Sequence, residues 1–168
     1  MSINFFDAPC KEPSRVNPLF GICDDQDGFS KAYTDVANSD KWIATVLNDA
    51  EKEVSFTPID HCFTIMKEGT KNEESLCDGM LTFQNSLYLV ELKEQGTGGW
   101  LPKAVDQLEN TIILMCANHD LSTFKYKKAY ACNKKHPFFT KIDIETRMRF
   151  FRSTKGFRLD AQARIVIK

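Results

Sequence analysis

The chain is predicted to be an α/β protein with a sheet covered by helices, and three observations predict it. Two strand-length apolar runs, 77–83 and 87–93, adjoin across the polar Gln84-Asn85-Ser86. A long amphipathic stretch opens at Trp100 and Pro102, and strand-like runs return at 125–132 and 157–167. Strands grouped around helices in this way bury their apolar faces best as layers. With 168 residues the chain fits one domain, 1–168, with a substantial core.

Taken in order, residues 1–28 are rich in Pro, Asp and Gly and read as an irregular arm. The arm lacks a basic start followed by an apolar stretch, so it does not resemble a secretory signal, and a cytoplasmic location is the default expectation. A helix is predicted from about Asp40, capped by Asn38 or Ser39, with Trp42 and Val46 at i+4 and Ile43, Leu47 and Ala50 widening the stripe. Segments 54–57 and 59–66 read as a strand interrupted at Pro58, and 67–75 as a charged turn. After the hairpin, Glu94 to Gly99 is a flexible loop. In the helix that follows, Ala104, Leu108, Ile112 and Met115 or Cys116 form the inner stripe, with Gln107 at its border. The region 133–168 is a basic extension ending in a strand over 157–167.

Net charge is only −1, but residues 1–120 hold 9 Lys/Arg against 20 Asp/Glu, whereas residues 121–168 hold 13 against 3. Two readings fit: a polyanion-binding surface beside an acidic, cation-binding region, or internal complementarity between the two. No apolar run is long enough to span a membrane, so no membrane partner is expected. The six cysteines lack a CxxC pair and read as buried free thiols. Cys116 with His119 and Cys132 with His136 imitate a zinc pattern, but an intervening strand of about seven residues would hold the pairs roughly 20 Å apart. His61, His119 and His136 show no convergent spacing.

The hairpin carries the chemistry. With Asn85-Ser86 as its loop, Gln84 faces Leu87 and Asp78 faces Lys93, while Glu91 lies diagonal to Asp78 on the same face, within roughly 7 to 8 Å. Two carboxylates in such reach can share a divalent cation, with the Leu92 carbonyl as a further oxygen ligand. Lys93 beside them suits a role in orienting water or stabilising transition-state charge. Glu91 interrupts an otherwise apolar strand, where a lone carboxylate needs a partner. A plain surface hairpin with an Asp78–Lys93 ion pair is the competing reading.

Asp78, then Glu91-Leu92-Lys93 on the next strand, then a helix carrying Gln107, resembles the PD-(D/E)XK nuclease superfamily, over roughly residues 40–132. The resemblance implies a restriction-endonuclease-like αβββαβ core with a mixed central sheet flanked by helices. It also implies Mg²⁺, with Mn²⁺ as a substitute, on Asp78 and Glu91, a water-assisting role for Lys93, and a supporting role for Gln107. Two departures stand: Cys77 replaces the Pro before the Asp, and Thr111 occupies the position four after Gln107 where one branch has Tyr. Asp60 is a candidate additional acid, with a turn Asp after Pro58 as its alternative.

These expectations converge on a metal-dependent endonuclease or exonuclease acting on DNA, with RNA as a second candidate substrate, in defence, recombination or repair. Asn133, Lys134, Lys135, Arg147, Arg149 and Arg152 are the candidate nucleic-acid contacts. Phe138, Phe139, Phe150, Phe151 and Phe157 lie among them, for base stacking or for core packing. A homodimer or an activating partner protein is compatible with this reading. The rival is a noncatalytic nucleic-acid-binding or protein-interaction module.

Overall fold

The computed structural model describes residues 3–168 and contains two mixed sheets and two α-helices. A five-stranded sheet is built from β4 (Ser55–Pro58), β5 (Gly79–Phe83), β6 (Ser86–Lys93), β7 (Tyr126–Asn133) and β8 (Arg158–Ala161), in that order. Its first three strands are antiparallel, and β7 and β8 continue parallel to β6. A four-stranded sheet orders β2 (Tyr33–Asp35), β1 (Leu19–Cys23), β3 (Ala44–Leu47) and β9 (Arg164–Val166). The helices are α1 (Trp100–Asn118), between β6 and β7, and α2 (Ile144–Ser153), between β7 and β8.

Side chains of β6 explain the layering. Successive residues of a strand point to opposite faces. Leu87 and Leu89 join a core with Leu108, Ile112 and Met115 of α1, while Tyr88, Val90 and Leu92 join a second core with Phe20, Val46 and Ile165 of the other sheet. Buried on both sides, β6 has to be an almost unbroken apolar run, and its first seven residues are all buried. The layers are therefore helices, five-stranded sheet, four-stranded sheet.

Several expectations are corrected. No helix begins at Asp40: Ser39–Lys41 is a single 3-10 turn, and Ala44–Leu47 is β3, with alternate residues buried. Trp42 does not join a helical stripe. Its ring lies against Gly21, where any Cβ would stand 1.9 Å from the indole, and its Nε1 donates to Asp35 Oδ2 at 2.8 Å. Thus the leading helix of the expected αβββαβ order is replaced by strands. The 1–28 arm is not irregular throughout, since it contains β1. Before β1 it runs beside β4, exchanging backbone hydrogen bonds between Arg15 and Val54 at 2.9 Å, which covers that sheet edge.

Residues 59–66 do not extend β4, because the chain turns at His61, whose φ is +65°. The expected final strand over 157–167 divides in two, β8 and β9, one in each sheet. Nor are all the cysteines free: Cys10 is bonded to Cys62, with the Cα atoms 6.1 Å apart, tying the arm to the turn after β4.

The hairpin register also differs. Phe83 pairs with Ser86 and Gly79 with Val90, so the two-residue loop is Gln84-Asn85, with Gln84 at φ +47°. Continued by one step, the ladder sets Asp78 opposite Glu91 rather than opposite Lys93. Each partner has moved two residues along β6, and a slip of two leaves every side chain on its expected face.

Candidate active site

Asp78 enters the structure just ahead of β5, and Glu91 and Lys93 close β6, all at one end of the sheet on the face covered by α1. Gly79 permits this entry, because a Cβ there would meet the Phe56 ring at 2.4 Å. Glu91 is only 2% exposed. Its Oε1 accepts the Asp78 N–H at 3.2 Å, and its Oε2 lies 3.0 Å from Lys93 Nζ. Asp78 Oδ2 in turn accepts the Leu92 N–H at 2.6 Å. Each carboxylate is thus held by the other strand's backbone.

From α1, Gln107 Oε1 accepts a second hydrogen bond from Lys93 Nζ at 2.7 Å, and Gln107 Nε2 reaches the Leu76 carbonyl at 3.5 Å. Thr111, one turn on, donates to the Gln107 carbonyl at 2.8 Å and accepts the Cys77 N–H at 2.7 Å. Fully buried Thr111 therefore latches α1 to the residue preceding Asp78. Sequence reasoning treated Thr111 only as a departure from a pattern. Its signal was a hydroxyl at i+4 from Gln107 on an inward helical face.

Two further acids approach. Asp60 follows β4, pairs with His61 at 3.2 Å, and its negative field raises the pKa of Glu91. Asp24 follows β1; its field raises the pKa of Asp78, and the Asp60 charge in turn raises that of Asp24. Asp24 holds Gln26 Nε2 at 2.5 Å, and the same amide lies 3.4 Å from the Leu92 carbonyl. Asp24 and Gln26 were missed because only the packing of one sheet on the other brings the β1–β2 loop here.

Burial first, and then the Glu91 charge, push the Asp78 carboxyl well above its ordinary value. Burial likewise pushes Glu91 up to about 7, against the opposing pull of Lys93. Asp60 and Asp24 are also raised, chiefly by desolvation. Crowded, desolvated carboxylates facing one ammonium resist ionisation, and a bound cation would offset that cost. Hard oxygen donors of this kind, two carboxylates beside the Leu92 carbonyl, fit a magnesium-type cation.

The candidate nucleic-acid contacts divide between two ends of the sheet. Asn133 ends β7 level with Lys93, and Lys134 and Lys135 follow it. Asn133 is fully buried, its amide spent on Gln95 and on the Lys135 N–H, so it shapes the loop beyond Lys93. Lys134 lies 3.8 Å from Glu94, and Lys135 is exposed. Arg147, Arg149 and Arg152 sit instead on α2, which packs on β8. Phe150 and Phe157 belong to the core, while Phe138, Phe139 and Phe151 are exposed. The zinc-like pairs are otherwise engaged: His119 Nε2 accepts the Phe5 N–H at 3.1 Å, and His136 stacks on Trp100.

Comparison with protein-family models, with curated proteins and with solved structures returned no match.

Proposed function

We propose that the protein is a magnesium-dependent nuclease that hydrolyses phosphodiester bonds in DNA, with Asp78, Glu91 and Lys93 at its centre. One observation carries the reading: buried Glu91 joins Asp78 to Lys93 through bonds of 3.2 and 3.0 Å at one end of the sheet. An ordinary surface ion pair needs neither that burial nor a second carboxylate. Support also comes from the order β4, β5, β6, α1, β7, which is the βββαβ portion of the core expected from the resemblance to PD-(D/E)XK nucleases.

The division of labour follows from the contacts. Asp78 and Glu91, with the Leu92 carbonyl, are the residues that hold the cation. When bound, Mg²⁺ supplies an acidified water and offsets charge on the phosphoryl oxygens. Lys93 has three N–H donors. Glu91 and Gln107 take two, and the third serves the attacking water or a phosphoryl oxygen. Gln107 is a positioning residue that aims the ammonium. Thr111 holds the backbone from which Asp78 projects.

Incubation with plasmid, linear and single-stranded DNA in Mg²⁺, Mn²⁺ or EDTA tests this reading. Cutting that needs the metal and falls at least about a hundredfold in Glu91→Ala and Lys93→Ala is the expected result, in keeping with the contribution of a positioned acid–base group. Unchanged cutting in both variants removes these residues from the mechanism. Salt-sensitive binding without cutting by the wild type favours the noncatalytic module, a reading to which the distant α2 arginines lend weight.

A further inference from the structure

The charge of the C-terminal third is not absorbed by the acidic part of the chain. Among the described residues only one ion pair joins them, Lys134 with Glu94 at 3.8 Å. Most of the remaining cations gather in two adjoining basins at the end of the sheet where β6, β7 and β8 begin. The wider basin, about 880 Å³, is lined by Lys52, Lys125, Lys127, Lys128, Arg158 and Lys168. The other, about 520 Å³, shares Lys128, Phe151 and Arg158 with it and adds Arg147 and Arg152. Asp160 is the sole acidic side chain in either wall.

This groove is separate from the carboxylate site. Along the ladder Ser86 is level with Tyr126, and Lys93 is level with Asn133. Seven residues at roughly 3.3 Å each place the two ends about 23 Å apart. Tyr88, in the wall of the groove, also points to the face opposite Glu91.

From these observations we infer that the groove is a noncatalytic exosite for a single strand of nucleic acid. Charge selects a polyanion, because eight basic side chains face one acidic side chain. Asp160 lies 3.9 Å from Lys128 and 3.6 Å from Arg147, beyond hydrogen-bond length, while no carboxylate pairs with Lys125, Arg152 or Arg158 among the described residues. The aromatic residues select an unpaired strand. Tyr126, with Lys125 Nζ 5.4 Å over its ring, is 53% and Phe151 46% exposed within the basic lining, and exposed rings interleaved with cations bind unstacked bases, which a duplex does not offer. Delivery of that strand to a cutting site rests on the nuclease reading; the binding itself does not.

Fluorescence anisotropy with a labelled oligothymidylate of roughly 20 nucleotides, longer than the roughly 4–16 that one small domain covers, tests the exosite in EDTA. The exposed pair Lys125→Ala/Arg158→Ala is expected to weaken binding at least tenfold. It is also expected to flatten the slope of log K against log salt by about 1.4, since each single-strand phosphate contact contributes about 0.7. Tyr126→Ala weakens binding without changing that slope. Lys67→Ala/Lys71→Ala, an equal charge loss on an exposed turn elsewhere, retains wild-type affinity, and thermal melts verify folding of all variants. Equal affinity in the Lys125/Arg158 variant, equal loss in the Lys67/Lys71 variant, or tighter binding of a duplex overturns the inference. Binding that follows this pattern in a protein that never cuts sinks the nuclease reading and leaves the exosite standing. Metal-dependent cutting with groove-independent binding does the reverse.

Discussion

Glu91 sets a pH dependence for the metal-free protein. Its pKa rises from 4.5 to about 7 on folding, and those of Asp78, Asp60 and Asp24 rise with it. Between those values the folded chain keeps protons that the unfolded chain has released, so stability declines as pH rises from 4.5 toward 7. Half-buried Asp35 and the exposed Asp27, Asp120 and Asp143 are lowered by hydrogen bonds to nearby donors and act in the opposite sense, adding stability as pH rises toward the ordinary carboxylate value of 3.8. Melting temperature in EDTA should therefore peak near the boundary of these windows and fall toward neutrality. In Glu91→Gln that fall is shallower, and Mg²⁺ added to the wild type near neutrality restores the lost degrees. A profile that climbs steadily through neutral pH would show that these carboxylates are not desolvated.

At the scale of elements, the site depends on how α1 meets the hairpin. Thr111→Val keeps the shape but leaves the buried Cys77 N–H without its acceptor, at a cost of roughly 1–3 kcal/mol. The expected readouts are a melting temperature lower by several degrees and weaker cutting, with Thr111→Ser recovering both; a silent Thr111→Val would remove the latch from the account. The hairpin shows how an element tolerates an error in reading. Its loop is Gln84-Asn85 rather than Asn85-Ser86, yet Asp78, Glu91 and Lys93 share the expected face, because the side-chain period is two. The segment near Trp42 was not legible in the same way. Its apolar residues satisfy helical spacing, but Trp42 packs on Gly21, a partner distant in sequence.

For the whole molecule, the Cys10–Cys62 bond closes a separation of 52 residues and anchors the arm that covers the β4 edge. A loop of that size contributes about 4 kcal/mol by restricting the unfolded chain. Reduction, or Cys62→Ser, should lower the melting temperature by on the order of 10 °C. An unchanged transition would mean that the packing of the arm suffices without the bond. The described helices include none long and apolar enough to cross a membrane. By itself the sequence determined the α/β class, the central hairpin, the inner stripe of α1, and the face shared by Asp78, Glu91 and Lys93. These are local periodicities, set by strand and helix geometry within a few residues. Only the tertiary structure decided that two sheets stack, that Asp24 and Gln26 reach the site from β1, that Thr111 latches Cys77, and that the basic third divides between the ends of the sheet. Each of these joins residues far apart in the chain, and packing free energy, which no short window of sequence contains, selects the partners.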